Sequence, residues 1–127
     1  MFGCFILHLV EIPYLWSYSD MPCKLRYKVI NEITHVFLTG ELTQSIKSNL
    51  SNSIEKIITH CPKIIHLDIT GIKYIDSAGI GELLVIHSML YKRDGRLVIV
   101  NPSPECKEIL NTILRNIIEI KTSESVT

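Results

Sequence analysis

The chain has no excess of either charge: thirteen Lys and Arg balance thirteen Asp and Glu over 127 residues, for a formal net charge of zero. That argues against a nucleic-acid binder working through a broad basic surface. Paired cysteines are also missing. Cys4, Cys23, Cys61 and Cys106 are scattered, with no Cys-x-x-Cys of a zinc knuckle or redox motif, and the neighbours His60 and Cys61 have no counterpart at ligand spacing. They read as reduced thiols of a cytoplasmic protein, with no metal site and no cofactor. No Gly-Lys-Ser/Thr phosphate loop occurs, and Gly79-Ile80-Gly81 fails as a dinucleotide loop because Leu84 stands where a third glycine is needed. A nucleophile elbow around Ser77 fails because Ile75 occupies its first glycine position. Nothing in the sequence places a histidine beside Ser77 either, so a hydrolytic triad is unsupported and no catalytic residue is assigned.

A membrane-spanning run is absent as well. Residues 1–20 are apolar, with Phe2, Phe5, Ile6, Leu7, Leu9, Val10, Ile12, Leu15 and Trp16, but Glu11 and Pro13 interrupt them and the first basic residue is Lys24. A secretory signal needs a positive start and a spanning helix needs about 20 largely apolar residues. The expectation is therefore no direct membrane insertion. Two readings of residues 1–21 stand: an apolar extension that docks on the domain or on a partner, or a segment upstream of a true start at Met21. Residues 22–121 are expected to form one domain, and residues 122–127 a flexible tail.

What is present is enough for a core: 46% of the residues are hydrophobic against 20% charged, which argues against a disordered or fibrous chain. Leu25 to Val29 alternates apolar and basic, and Thr34 to Thr39 follows after the turn-like Asn31-Glu32, so the two suggest a β-hairpin. Ile46, Leu50, Ile54, Ile57 and Ile58 form the apolar stripe of a helix over about 43–60, which Pro62 stops. Lys63 to Ile69 reads as a buried strand. Ile80, Leu83, Leu84 and Leu90 predict a helix over 77–92 packed on the sheet, with Asp94-Gly95 as its stop and glycine as the left-handed cap. A strand over 96–100 follows. A helix then starts at Ser103-Pro104, with a hydroxyl cap and with Cys106, Ile109, Leu110, Ile113 and Leu114 buried; a last strand covers 116–120. The order β-β-α-β-α-β-α-β implies an α/β domain with a mixed central sheet flanked by helices.

The informative stretch is Tyr74-Ile75-Asp76-Ser77-Ala78-Gly79-Ile80-Gly81. It puts the Ser77 hydroxyl where a strand gives way to a helix, and free N–H groups with the helix dipole favour an anion there. The plain structural reading is a helix cap at Asp76-Ser77 and glycines that let the helix approach neighbouring backbone. Gly40-Glu41 and Asp76-Ser77 both fall beyond the carboxyl ends of predicted strands, where functional loops of α/β sheets gather. Glu82, Val85 and Met89 fall on another face of the same helix and form a candidate partner surface.

Asp76-Ser77-Ala78-Gly79-Ile80-Gly81, with Thr39-Gly40-Glu41-Leu42 upstream, resembles the anti-sigma factor antagonist family, the stand-alone STAS domains. The likeness covers roughly residues 24–120. Two positions depart from the family's pattern: Thr43 stands where Asp is common, and Ala78 where Ser or Thr often follows the phosphoacceptor. Thr43 keeps a hydroxyl suited to capping the next helix. The resemblance implies a non-enzymatic, phosphorylation-switched protein whose unmodified form binds an anti-sigma factor. That partner is a serine kinase that brings its own ATP and modifies Ser77; a phosphatase reverses the step. It also implies partner contacts at Gly40, Glu41, Thr43, Asp76, Ala78, Gly79, Ile80 and Gly81. Asp76 would either orient the hydroxyl or act as base. The alternatives are a STAS-like scaffold that binds a transporter or another regulator without phosphorylation and, with less support, a small-ligand module.

Overall fold

The computed structural model describes residues 10–11 and 23–122. The expectations for an N-terminal extension, a start at Met21 and a flexible tail fall largely outside these residues. Six strands form one sheet in the order β1-β2-β3-β4-β5-β6: β1 is Val10–Glu11, β2 Cys23–Ile30, β3 Ile33–Leu42, β4 Ile64–Ile75, β5 Arg96–Val100 and β6 Glu119–Lys121. The first two pairings are antiparallel and the remaining three parallel. Three helices connect the parallel strands: α1 Asn49–Ile58, α2 Ser77–Lys92 and α3 Pro104–Leu114. The mixed α/β fold expected from the sequence is present, with the two-residue β1 added at its edge.

Each step from β3 to β6 moves one strand in the same direction, and right-handed crossovers then put all three helices on one face. Packing agrees. Leu25, Val36, Leu38, Ile65, Leu67, Ile69, Leu97 and Ile99 form a single cluster with the buried residues of all three helices. Side chains of the opposite parity form rows on the other face: Lys28, His35, His66, Val98 and Glu119 in one, Arg26, Phe37, Asp68, Val100 and Lys121 in the next. "Flanked by helices" thus becomes flanked on one side only among the described residues.

Four local expectations are corrected. The first long helix does not begin at Thr43. A short 3-10 turn over Gln44–Ile46 comes first, and Lys47, at φ 50°, breaks the path before α1 starts at Asn49. At the end of α2 the left-handed residue is Asp94 (φ 62°), not Gly95. The N–H groups of Gly95 and Asp94 close a Schellman motif on the carbonyls of Leu90 and Tyr91. Gly95 is needed for a different reason, since a Cβ there would lie 2.4 Å from the Lys63 carbonyl oxygen. Ser103 does stand at the start of α3, but its hydroxyl donates to the Ile72 carbonyl at 2.6 Å and so ties the helix to β4 instead of capping it. Ile113, expected in the core, is 46% exposed, because the buried stripe of α3 narrows to Cys106, Leu110 and Leu114 beside the short edge strand β6.

Candidate functional site

The site is assembled where β3 and β4 end. β4 runs on to Ile75 past two register shifts against β3, which set the pairs Gly40–Ile72, Glu41–Tyr74 and Leu42–Ile75 side by side. Gly40 adopts φ 116°, a conformation that side chains rarely tolerate, so glycine is required at this bend. The Asp76 N–H then donates to the Leu42 carbonyl at 3.1 Å, carrying the ladder one residue past both strands. The two motifs read separately in the sequence, Gly40-Glu41-Leu42 and Asp76-Ser77, therefore meet in one place.

Asp76 is the junction. Its Oδ1 accepts from the Gly79 N–H at 3.0 Å and caps α2, while its Oδ2 accepts from the Gln44 N–H at 3.2 Å, 32 residues away. The Gly79 bond first, and then the Gln44 bond, hold its carboxyl below the usual carboxylate range. Both oxygens are thus engaged by backbone donors, and a carboxyl held so firmly ionised is a weak proton acceptor. In the free protein Asp76 positions the helix start. Thr43 does not cap a helix as expected: it is extended, and its Oγ1 shares a 2.8 Å hydrogen bond with Ser45 Oγ. The capping duty on that turn falls to Asp76 from across the sheet.

Ser77 is the first residue of α2; it is exposed, and its hydroxyl takes no hydrogen bond within the described structure. The remaining motif residues divide into two groups. Gly79 and Ile80 are buried; a Cβ at 79 would lie 2.1 Å from the Leu42 carbonyl oxygen, so helix and strand touch backbone to backbone. Ala78 is exposed and Gly81 half-buried, and a Cβ at 81 would meet nothing within 4 Å. Val85 is 50% exposed one turn further on. Ser77, Ala78, Gly81 and Val85 thus line one smooth strip of α2, with exposed Glu41 and half-buried Thr43 on the β3 side.

Glu82 does not belong to that strip. It was expected on a partner-facing surface with Val85 and Met89, but it is only 7% exposed, and its Oε2 accepts the Ser51 N–H at 2.7 Å. Ser51 lies in the first turn of α1, where Ser48 makes no side-chain cap, so Glu82 supplies an acceptor that local sequence lacks. Met89 is half-buried against the core. Conversely, Tyr74 was given no role in the sequence reading, yet it is 57% exposed, in register with Glu41 and three residues before Ser77. Its signal was the alternation along the extended end of β4.

Among the described residues no group of His, Cys, Asp and Glu is placed to hold a metal ion, and no helix is long and apolar enough to cross a membrane. Cys23 and Cys106 are buried; burial pushes the Cys23 thiol up to about 12. The Cys106 Sγ donates to the Ile72 carbonyl at 3.6 Å.

Comparison with known proteins bears on the fold. The fold superposes on an anti-sigma factor antagonist from Mycobacterium paratuberculosis with a TM-score of 0.67 at 17% identity, over 78% of this chain and 85% of that one. The protein TM1081 of Thermotoga maritima gives a TM-score of 0.68 at 20% identity, over 79% and 82%. The anti-sigma factor antagonist SpoIIAA in its unphosphorylated form gives 0.58 at 20% identity, over 76% and 86%. No curated protein matches the sequence. At these identities the structures speak for the fold, and the family follows from the sequence itself: the STAS domain model matches residues 24–126, most of the chain and all of the site, so the chain belongs to the STAS domain family.

Proposed function

We propose that this chain is an anti-sigma factor antagonist: a cytoplasmic, non-enzymatic binding protein switched by phosphorylation of Ser77. The observation that carries the reading is the Ser77 hydroxyl, exposed at the first residue of α2 and without a hydrogen bond among the described residues, on a strip of small side chains. In the unmodified form this strip, with Glu41 and Thr43, seats the anti-sigma factor. That partner is a serine kinase and contributes the bound ATP. Its γ-phosphorus bonds to Ser77 Oγ as the bond to the bridging oxygen of ADP breaks, and a base of the kinase takes the hydroxyl proton. A phosphatase hydrolyses the ester and resets the switch.

Asp76 explains why modification would release the partner. A helix start normally welcomes phosphate, but here the Asp76 carboxylate already holds the Gly79 and Gln44 N–H groups. A phosphate of about −1.5 to −2 charge on the next residue is repelled by it and stands outward, into the contact surface. Desolvating both anions at once breaks a fitted interface.

The test is a binding and labelling assay with the anti-sigma factor recovered from the native cell. Unmodified protein and Ser77→Ala bind, Ser77→Asp binds at least tenfold more weakly, and ATP labels only chains that carry Ser77. Equal binding by all forms, or recovery of membrane transporter subunits without any phosphate on Ser77, sinks this reading and favours a scaffold role.

A further inference from the structure

The sheet ends on β6, and among the described residues no strand pairs with its outer side. An edge strand offers its unpaired N–H and C=O groups to a second chain. Their direction can be read here. The Asn101 N–H donates to the Lys121 carbonyl at 2.7 Å, so the backbone groups of Lys121 face β5. Successive residues of a strand turn these groups to opposite sides, which leaves the N–H and C=O of Ile120 pointing outward. A row of isoleucines reaches the same edge. Ile109, Ile113 and Ile117 follow at four-residue spacing along one flank of α3 and the turn that closes it. Ile109 is half-buried against the core, but Ile113 and Ile117 are 46% and 49% exposed, so the flank loses its cover as it nears the last strand.

We propose that β6 is the seam of a symmetric dimer, in which it pairs antiparallel with β6 of a second copy. With Ile120 at the centre, the two copies exchange both outward backbone hydrogen bonds, and Glu119 of each stands opposite Lys121 of the other, about 4.5 Å apart at Cα. Opposite charges so placed attract. A register centred on Glu119 or on Lys121 would set like charges face to face, so the charge pattern selects the register that the backbone also prefers. Within one chain Glu119 lies 3.4 Å from Lys121 and 3.9 Å from Arg96; the seam adds a further cation beside Glu119 and an anion beside Lys121. The two-fold axis stands perpendicular to the sheet and keeps the helices of both copies on one face, which brings the two isoleucine flanks together beside the seam. The seam is short, and the association is accordingly weak, in the micromolar range. It leaves the Ser77 site open, two strands away, with the two sites at opposite ends of the joined sheet.

The test is sedimentation velocity on the full-length chain over a concentration series. Wild type should pass from monomer to dimer. Glu119→Lys makes every facing pair at the seam two lysines and Lys121→Glu makes it two glutamates, so each variant alone should associate at least tenfold more weakly. Mixed one to one, they restore both opposite-charge pairs and should form a heterodimer about as readily as wild type dimerises. Ile113→Ser with Ile117→Ser, at positions already exposed, should also weaken the dimer at least tenfold. A wild type that stays monomeric, single charge variants that associate as well as wild type, a mixture no better than its components, or a dimer untouched by the two serines overturns the proposal.

Discussion

Two glycines in the motif, Gly79 and Gly81, should respond to the same substitution with opposite signs. In a helix interior, replacing Gly by Ala is worth about 0.5–1 kcal/mol, from backbone entropy alone. At Gly81 nothing lies within 4 Å of the added methyl, so the gain is unopposed, and Gly81→Ala should raise the melting temperature by about 2–5 °C. At Gly79 the methyl would stand 2.1 Å from the Leu42 carbonyl oxygen and 2.8 Å from its carbon. That carbonyl is fixed by the Asp76 N–H, so the contact is relieved only by parting α2 from β3. Such overpacking costs about 1–3 kcal/mol or more, and after the helix gain Gly79→Ala should lose roughly 2 kcal/mol. Thermal unfolding reads the first quantity, and urea unfolding of both variants and the wild type, with slopes compared as well as midpoints, reads the second and the sign of each. Shifts of the same sign would refute the assignment of Gly79 to packing and Gly81 to the surface. Under the proposed function, Gly81→Ala should also weaken anti-sigma factor binding while stabilising the fold.

Three further outcomes follow from the same geometry. Glu82→Ala strips the buried Ser51 N–H of its acceptor and should cost about 1–3 kcal/mol in urea unfolding, with Glu82→Gln losing less because an oxygen remains. Asn31 and Glu32 both take positive φ in the two-residue turn between β2 and β3, a geometry suited to Asn-Gly. Glu32→Gly should therefore stabilise by about 0.5–1 kcal/mol, read by thermal unfolding. His35 is held below its ordinary 6.5 by burial and then by His66 and Lys28, against Asp68; His66 is held down by burial and then by Lys121 and Arg96, against Glu119. The unfolded chain then binds protons that the folded one refuses. Stability should fall as pH drops through about 6.5 toward the lowered folded values, and level off below them. Unfolding between pH 7.5 and 5 should show this slope in the wild type and a flatter one in the His35→Gln, His66→Gln double variant.

How much of this was legible in the sequence depended on the range of the forces involved. The strand-to-helix junction at Asp76-Ser77 could be read because its signals are local: a cap residue, glycines, and apolar spacing on either side. The stripe Ile46, Leu50, Ile54, Ile57 and Ile58 was legible for the same reason, and all five are buried. The start of α1 was not. It depends on the turn at Lys47 and on a carboxylate 31 residues downstream, which no window around Thr43 contains. Glu82 reads as a surface residue by its charge, and only the partner N–H makes its burial affordable. Asp94 holds the left-handed position expected of Gly95, while glycine at 95 answers to the Lys63 carbonyl, a contact more than thirty residues away in sequence.

Asp76 joins Gln44 and Gly79 across 32 residues of sequence, and the Leu42 carbonyl holds it in place. The surface around Ser77 is therefore not a linear epitope. It comes into being only after β3 and β4 have paired, so under the proposed function a nascent, unfolded or proteolysed chain would offer the kinase a serine but not the site. A peptide spanning residues 72–84 should then be a poor substrate beside the intact domain, and the switch would count folded molecules only.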